Sequence, residues 1–289
     1  MIIILQTRYY KLFGENLRLI FLGTGDADGI PALGCRCEIC RKSVYSEKNR
    51  RTRASILLDL GDYSILIDAA PEIRYQLNRY KLNEKYINTV LITHWHYEHW
   101  IGIIELHSWD RKKTQKIEPK FTIFMNKYAF HQYNKILNPF INATNTWLKE
   151  RYNIKVVEEY MRIKLNDSIE IFTIPLDHTI PTTGYLIHIS DTCIGYLVDT
   201  GIELSSRTIE NIKDCRDLII LDVTWYKKEG KGHMSIREAI DFVNNIKPLK
   251  AFATHIGHKN LLHEELDQVL KHKTNNVLSA AYDGLIVRL

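Results

Sequence analysis

The sequence predicts an α/β (α+β) fold in which two β-sheets pack on each other with helices outside. Three observations predict it. Short apolar, β-branched runs recur along the chain, and stretches with helical apolar spacing lie between several of them. Strands also outnumber helices, and the helices fall late in each of two similar halves. With 289 residues, 45% hydrophobic and 25% charged, the chain suits a single globular domain, residues 1–289, whose core needs no disulfide staples. Disorder, collagen-like repeats and coiled coil are excluded.

In chain order, Met1-Ile2-Ile3-Ile4-Leu5 is too short for a signal-peptide core, and no basic segment precedes it. No apolar run approaches the ~18 residues of a membrane span. The expectation is a cytoplasmic protein with no membrane partner. Strand-like runs follow at 17–22, 55–60, 63–67, 89–93, 121–125, 169–174, 184–189, 194–198, 218–221 and 249–254. Helical spacing appears in Ile73, Leu77 and Tyr80, in Ile236, Ala239, Ile240, Val243 and Ile246, and in Leu262, Leu266, Val269 and Leu270. Residues 107–164 break this rhythm and read as an inserted segment beside the active site. A surplus of lysine and arginine between Arg111 and Lys164 makes that segment either a solvated insertion or a positive rim for anionic substrates. The net charge of +5 is too small to announce a nucleic-acid binder.

Of the cysteines, Cys193 and Cys215 read as buried small hydrophobes. Cys35, Cys37 and Cys40 form a C-x-C-x2-C cluster, better explained by a metal than by disulfides.

The strongest chemical signal is Thr93-His94-Trp95-His96-Tyr97-Glu98-His99, directly after an apolar strand. In extended backbone His94 and His96 point to one side, so both imidazoles reach one ion. Glu98 and His99 lie where the chain turns into a helix and face a second ion. Trp95 and Trp100 flank the motif, as pocket wall or as core. His178, Asp199 and His255 stand at further strand ends. Together these residues make a dinuclear site: His94, His96 and His178 on one metal, Glu98, His99 and His255 on the other, and Asp199 bridging. Imidazole and carboxylate without thiolate suit Zn²⁺, Mn²⁺ or Fe with open positions, and so catalysis. His258 completes a Cys₃His set with Cys35, Cys37 and Cys40, a closed structural zinc site. Asp68, ending another strand, reads as a carboxylate that orients a ligand histidine.

The HxHxDH-like segment followed by His, Asp and His at strand ends resembles the metallo-β-lactamase superfamily. That resemblance implies a four-layer αββα sandwich of two mixed sheets flanked by helices. The Cys₃His set, Leu22-Gly23-Thr24-Gly25, Leu197-Val198-Asp199-Thr200 and Thr254-His255-Ile256-Gly257-His258 narrow it to the PhnP branch. The branch implies a phosphodiesterase that hydrolyses a small cyclic phosphodiester with dinuclear metal-activated water, two catalytic Zn or Mn ions, one structural Zn and a homodimer. In this branch and in tRNA 3′-processing nucleases, a histidine at the place of His233 acts on the phosphate; the resemblance implies that His233, beside Asp199, is general acid to the leaving oxygen or hydrogen-bond donor to a phosphoryl oxygen. The partner is then a small anionic phosphodiester, with nucleic acid the lesser expectation. Two alternatives stay open: a tRNA 3′-end endonuclease and a PqqB-like cofactor-biosynthesis protein. The chain departs from the family at Glu98, where Asp is usual; one extra methylene shifts the carboxylate by ~1 Å, and the expectation is that Glu98 still ligates.

Overall fold

The computed structural model describes residues 2–4, 17–82, 87–110, 121–144 and 152–289. The chain divides into two compact units built from interleaved segments. The first comprises Met1–Gly23, Thr52–Val156 and Asp283–Leu289, and the second Thr24–Arg51 and Val157–Tyr282. Parts of the 107–164 insertion, 111–120 and 145–151, lie outside the described residues.

The first unit holds an eight-stranded sheet. Its strands are β1 (Ile2–Ile4), β2 (Arg18–Gly23), β3 (Ser55–Asp59), β4 (Ser64–Ile67), β5 (Thr89–Leu91), β6 (Phe121–Asn126), β7 (Tyr152–Val157) and, late in the chain, β15 (Ile286–Arg288). The spatial order is β1-β15-β2-β3-β4-β5-β6-β7. From β15 through β4 neighbours run antiparallel, whereas β4, β5 and β6 are parallel. The second unit holds β8 (Arg162–Lys164), β9 (Ile169–Leu176), β10 (Thr182–Ile189), β11 (Thr192–Leu197), β12 (Leu218–Asp222), β13 (Lys250–Thr254) and β14 (Leu278–Ala280). They lie in chain order across a seven-stranded sheet. Here β8 to β11 are antiparallel and β11 to β14 parallel. Both sheets are mixed, and each passes from an antiparallel meander to parallel strands.

Every residue of β3, β4, β5 and β12 is buried, as the unbroken apolar runs require of strands covered on both faces. The sequence reading missed β1, β7, β8, β14 and β15: β7 and β8 are largely exposed and lack an apolar pattern, and β1, β14 and β15 are three residues each, too short to show one.

The helices are α1 (Glu38–Ser43), α2 (Ile73–Arg79), α3 (Tyr97–Trp100), α4 (Lys127–Gln132), α5 (Asn138–Thr144), α6 (Ser206–Asp214), α7 (Ile236–Ile246) and α8 (His263–Lys273). Helix α7 starts at Ser235 with a full capping box to Glu238. Its buried stripe of Ile236, Ala239, Val243 and Ile246 packs with Leu266 and Leu270 of α8 against Ile219, Leu221, Ala251 and Ala253 of the second sheet. No helix among the described residues is long and apolar enough to cross a membrane.

The cysteine reading needs one correction. Cys193 and Cys215 are buried as expected, but they form a disulfide with a Cα–Cα distance of 5.1 Å. The β11–α6–β12 crossover returns the chain to the neighbouring parallel strand, so residues 22 apart in sequence meet at the sheet's edge of entry.

Candidate metal centres

The histidine-rich segment after β5, Asp199 after β11 and His255 after β13 sit at the carboxyl ends of parallel strands, where α/β sheets collect their sites, and His178 follows the antiparallel strand β9. Three strand ends turn sharply. Asp68 after β4, Asp199 after β11 and His255 after β13 have φ of +59 to +60° and +54°. A non-glycine residue there costs ~1–3 kcal/mol and is kept where the surrounding structure demands it.

In the first unit, His94 and His96 converge: Nε2 of His94 lies 2.9 Å from Nδ1 of His96. Their partners settle which nitrogens face inward. The Thr93 hydroxyl, 3.0 Å from His94 Nδ1, takes that N–H and leaves Nε2 as a ligand atom. Thr93 is fixed in turn by Asp68, whose Oδ1 accepts from the Thr93 backbone N–H at 2.9 Å and from its hydroxyl at 3.0 Å. The other Asp68 oxygen accepts from His99 Nδ1 at 2.8 Å. His99 therefore also presents Nε2, and Glu98 Oε1 lies 3.9 Å from it. Asp68, Thr93, His94, Glu98 and His99 are all buried. Burial pushes the Asp68 carboxyl up, against the pull of His99. The short helix α3 that carries Glu98 and His99 is pinned by the Ala69 N–H to the His99 carbonyl at 2.8 Å. Trp95 and Trp100 stack on each other at 4.0 Å and are buried, so they pack together as core.

In the second unit, Asp199, Asp222, His233 and His255 bring one ligand atom each to within 4.8 Å of the others. Asp199 Oδ1 lies 3.4 Å from His255 Nε2 and 3.4 Å from His233 Nδ1. His255 Nδ1 donates to the Thr224 hydroxyl at 2.9 Å, again turning Nε2 inward. Asp222 Oδ1 accepts from Thr224 N–H at 2.9 Å and its hydroxyl at 2.8 Å; Oδ2 accepts from His233 Nδ1 at 2.6 Å. Burial alone would lower the pKa of His233, but the Asp222 charge and hydrogen bond, with Asp199, hold it up at about 9. His233 Nδ1 thus faces two carboxylates, which leaves Nε2 on the far side of the ring. Its place before α7 is no capping role, since Ser235 caps that helix. His178 donates Nδ1–H to the Gly232 carbonyl at 2.8 Å and so presents Nε2. Gly232 has φ +80°, and a Cβ there would sit 2.7 Å from His178 Nδ1, so that contact requires glycine.

Sequence reasoning missed Asp222, Thr93 and Thr224. Asp222 carries the same signal as Asp68 and Asp199, a carboxylate closing an apolar strand.

The Cys₃His set also gathers in the second unit. Sγ of Cys35, Cys37 and Cys40 and a nitrogen of His258 all lie within 4.8 Å of one another. Cys35 Sγ is 3.3 Å and Cys37 Sγ 3.7 Å from His258 Nδ1. Backbone N–H groups point at the sulfurs, Ala32 to Cys40 at 3.3 Å and Cys40 to Cys37 at 3.4 Å. Those bonds favour thiolates, whereas burial pushes the Cys40 thiol up to about 12. A cation resolves that conflict. Four such donors at this spacing fit a tetrahedral zinc ion with ~2.3 Å Zn–S bonds.

A sequence profile described as Beta-lactamase superfamily domain matches residues 63–256, about two thirds of the chain. The chain is 28% identical over 272 residues to an octanoyltransferase of Porphyromonas gingivalis, covering 93% of this chain and 51% of that protein. It is 28% identical over 180 residues to a ribonuclease Z of Thermococcus kodakarensis, covering 61% of this chain and 48% of that one. The chain thus spans about half the length of these curated relatives. The solved structure of a diphosphatase from the PhnP family matches with a TM-score of 0.79 at 22% identity, covering 94% of this chain and 96% of that chain. Profile, mixed sheets and shared fold agree: the chain belongs to the metallo-β-lactamase superfamily, and its fold is the one found in the PhnP branch.

Proposed function

We propose that the chain is a metal-dependent hydrolase of the phosphodiesterase type that opens a small cyclic phosphodiester. His94, His96 and His178 would hold one divalent ion and Glu98, His99 and His255 a second, with Asp199 a ligand available to both. Zinc or manganese suits this set of imidazoles and carboxylates, and zinc suits Cys35, Cys37, Cys40 and His258. When bound, the catalytic ions supply Lewis acidity towards a phosphoryl oxygen and towards water.

The observation that carries this reading is His233. Asp222 holds its Nδ1 at 2.6 Å and its charge favours the protonated ring, so Nε2–H is placed to serve as proton donor beside Asp199 and His255. A departing sugar alkoxide is a strong base and needs such a donor, and general acid catalysis of this kind is worth ~10²–10⁴-fold. Asp68, Thr93 and Thr224 orient the ligand imidazoles, and the Gly232 carbonyl does the same for His178.

Chelator-treated protein is expected to lose turnover of bis-p-nitrophenyl phosphate and to regain it with Mn²⁺ or Zn²⁺. Unchanged turnover after full removal of metal overturns the reading. A second reading, a tRNA 3′-end endonuclease, draws support from the likeness to ribonuclease Z; cleavage of a precursor tRNA in preference to cyclic diesters would select it.

A further inference from the structure

We propose that Cys193 and Cys215 form a reversible dithiol–disulfide site, with His188 as proton acceptor for Cys193, that exchanges with small thiols and disulfides. Its redox state sets how tightly the strand–turn–helix segment carrying Asp199 is held.

The bond lies at the amino ends of the parallel strands β11 and β12, whose register opens at Ile194 and Leu218. Asp199 and Asp222 stand at the opposite ends of the same two strands. Cys215 closes α6, where its N–H donates to the Ile212 carbonyl at 3.1 Å. The covalent loop from 193 to 215 therefore contains most of β11, the turn at Asp199 with φ +60° and all of α6. A cross-link of this kind removes the open forms of the segment it spans.

The surroundings of Cys193 suit a reacting sulfur. His188 is its partner across β10 and β11, with Nε2 3.6 Å from the Cys193 Sγ. The charged groups around that imidazole come from three elements. Glu170 lies opposite it on β9 and pairs at 2.6 Å with Arg162 of β8, and Asp217, just before β12, accepts from the Cys193 N–H at 2.8 Å. Burial lowers the pKa of His188, Glu170 and Asp217 raise it, and Arg162 adds to the lowering. The net shift is downward, so the ring is uncharged near neutral pH and able to take a proton. His188 is partly exposed beside the exposed turn residues Ser190 and Asp191, whereas Cys215 lies in the core with Ile212 and Ile219. Attack from solvent therefore falls on Cys193. A permanent staple needs no base at its sulfur, but an exchanging one gains from it, because the thiolate is the nucleophile. Cys35, Cys37 and Cys40 form a separate class, gathered with His258 around a cation position.

The exchange balances as follows. The Cys193 thiol gives its proton to His188 Nε2, and the thiolate attacks a small disulfide RSSR, forming Cys193–S–SR and expelling RS⁻. That RS⁻ takes the Cys215 proton. The Cys215 thiolate then attacks the Cys193 sulfur and expels a second RS⁻, which takes the proton held by His188. Two protein thiols and RSSR become the protein disulfide and two RSH; reduction runs the same steps backwards.

The test uses zinc-loaded, folded protein in mixtures of reduced and oxidised glutathione, with thiols trapped by iodoacetamide and located by mass spectrometry. Cys193 and Cys215 are expected to titrate together and reversibly while Cys35, Cys37 and Cys40 stay unlabelled. His188→Gln is expected to slow oxidation of the reduced pair about fivefold to tenfold at neutral pH, and to move the rise of rate with pH to that of an ordinary thiol near ~8.5. Amide exchange across 193–215 is expected to be on the order of tenfold faster in reduced than in oxidised protein. Cys193→Ala combined with Cys215→Ala should match the reduced protein and ignore glutathione; if that variant does not fold, the two redox states of the unaltered chain carry the same measurement. A bond that opens only on global unfolding, a pH–rate profile unchanged in His188→Gln, or equal amide exchange in both redox states overturns the switch.

Discussion

The two units carry the same local device. In each, a buried aspartate at a strand's end accepts from the backbone and hydroxyl of one threonine, and that threonine takes the Nδ1–H of one histidine. The other carboxylate oxygen holds Nδ1 of a second histidine. Asp68, Thr93, His94 and His99 make up the first copy; Asp222, Thr224, His255 and His233 make up the second. They differ in the exposure of the second histidine. The His99 side chain is fully buried, whereas that of His233 is 19% exposed. A dry imidazole held by a carboxylate is a ligand with a fixed tautomer. His233 faces two carboxylates, Asp222 and Asp199, whose charges favour its protonated form. One arrangement thus recurs in two settings that differ in charge and in exposure.

The sharpest way to break that division is Asp222→Asn. It is expected to lower turnover of a diester with an alkyl leaving group by ~10²–10⁴-fold, and far less with p-nitrophenolate, which leaves unprotonated. Equal losses on both substrates would show that Asp222 does not serve a proton donor.

The next effect distinguishes the units by pH. His263 Nδ1 faces Arg51 at 3.2 Å, and burial, followed by the Arg51 charge, holds its pKa down to about 4. An unfolded histidine titrates near ~6.5. The unfolded chain therefore takes up the proton first, and the stability present above pH ~6.5 is lost as pH falls towards 4, on the order of 3 kcal/mol in all. Urea unfolding at neutral and mildly acid pH should show this loss, and His263→Gln should shrink it. An unchanged acid slope in the variant would remove Arg51–His263 as an acid-sensitive clamp of the second unit.

Asp68→Asn tests the first copy. Metal affinity by equilibrium dialysis is expected to fall ~10–100-fold. A larger fall in Asp222→Asn than in Asp68→Asn would reverse the assigned roles. Smallest are Thr93→Val and Thr224→Val, each expected to cost ~1–3 kcal/mol of stability in thermal or urea unfolding, because a buried acceptor loses its donor. Clearly unequal costs would show that the two copies are not equivalent in packing.

Much of this was legible in the residues. All ten apolar runs became strands because buried parallel and central strands need continuous apolar character. The histidine-rich segment after β5 and the C-x-C-x2-C cluster were legible because their donors are close in sequence. Asp222 was not, since a carboxylate closing a strand looks the same whether it faces solvent or a histidine eleven residues on. The Cys193–Cys215 bond was hidden for a similar reason: each cysteine sits in an apolar setting that suits a buried thiol equally well.

By itself the sequence determined the inventory: the strand pattern, the imidazole-rich and thiol-rich clusters, and glycine at the position that adopts φ +80° beside His178. Only the tertiary structure decided which nitrogen of each imidazole its hydrogen-bond partner takes and which histidine faces two carboxylates. Those outcomes depend on the parallel register that sets Asp222 opposite Thr254, next to His255. Such pairings join residues some thirty positions apart, and a hydrogen bond reaches only ~3 Å, so no local pattern encodes them.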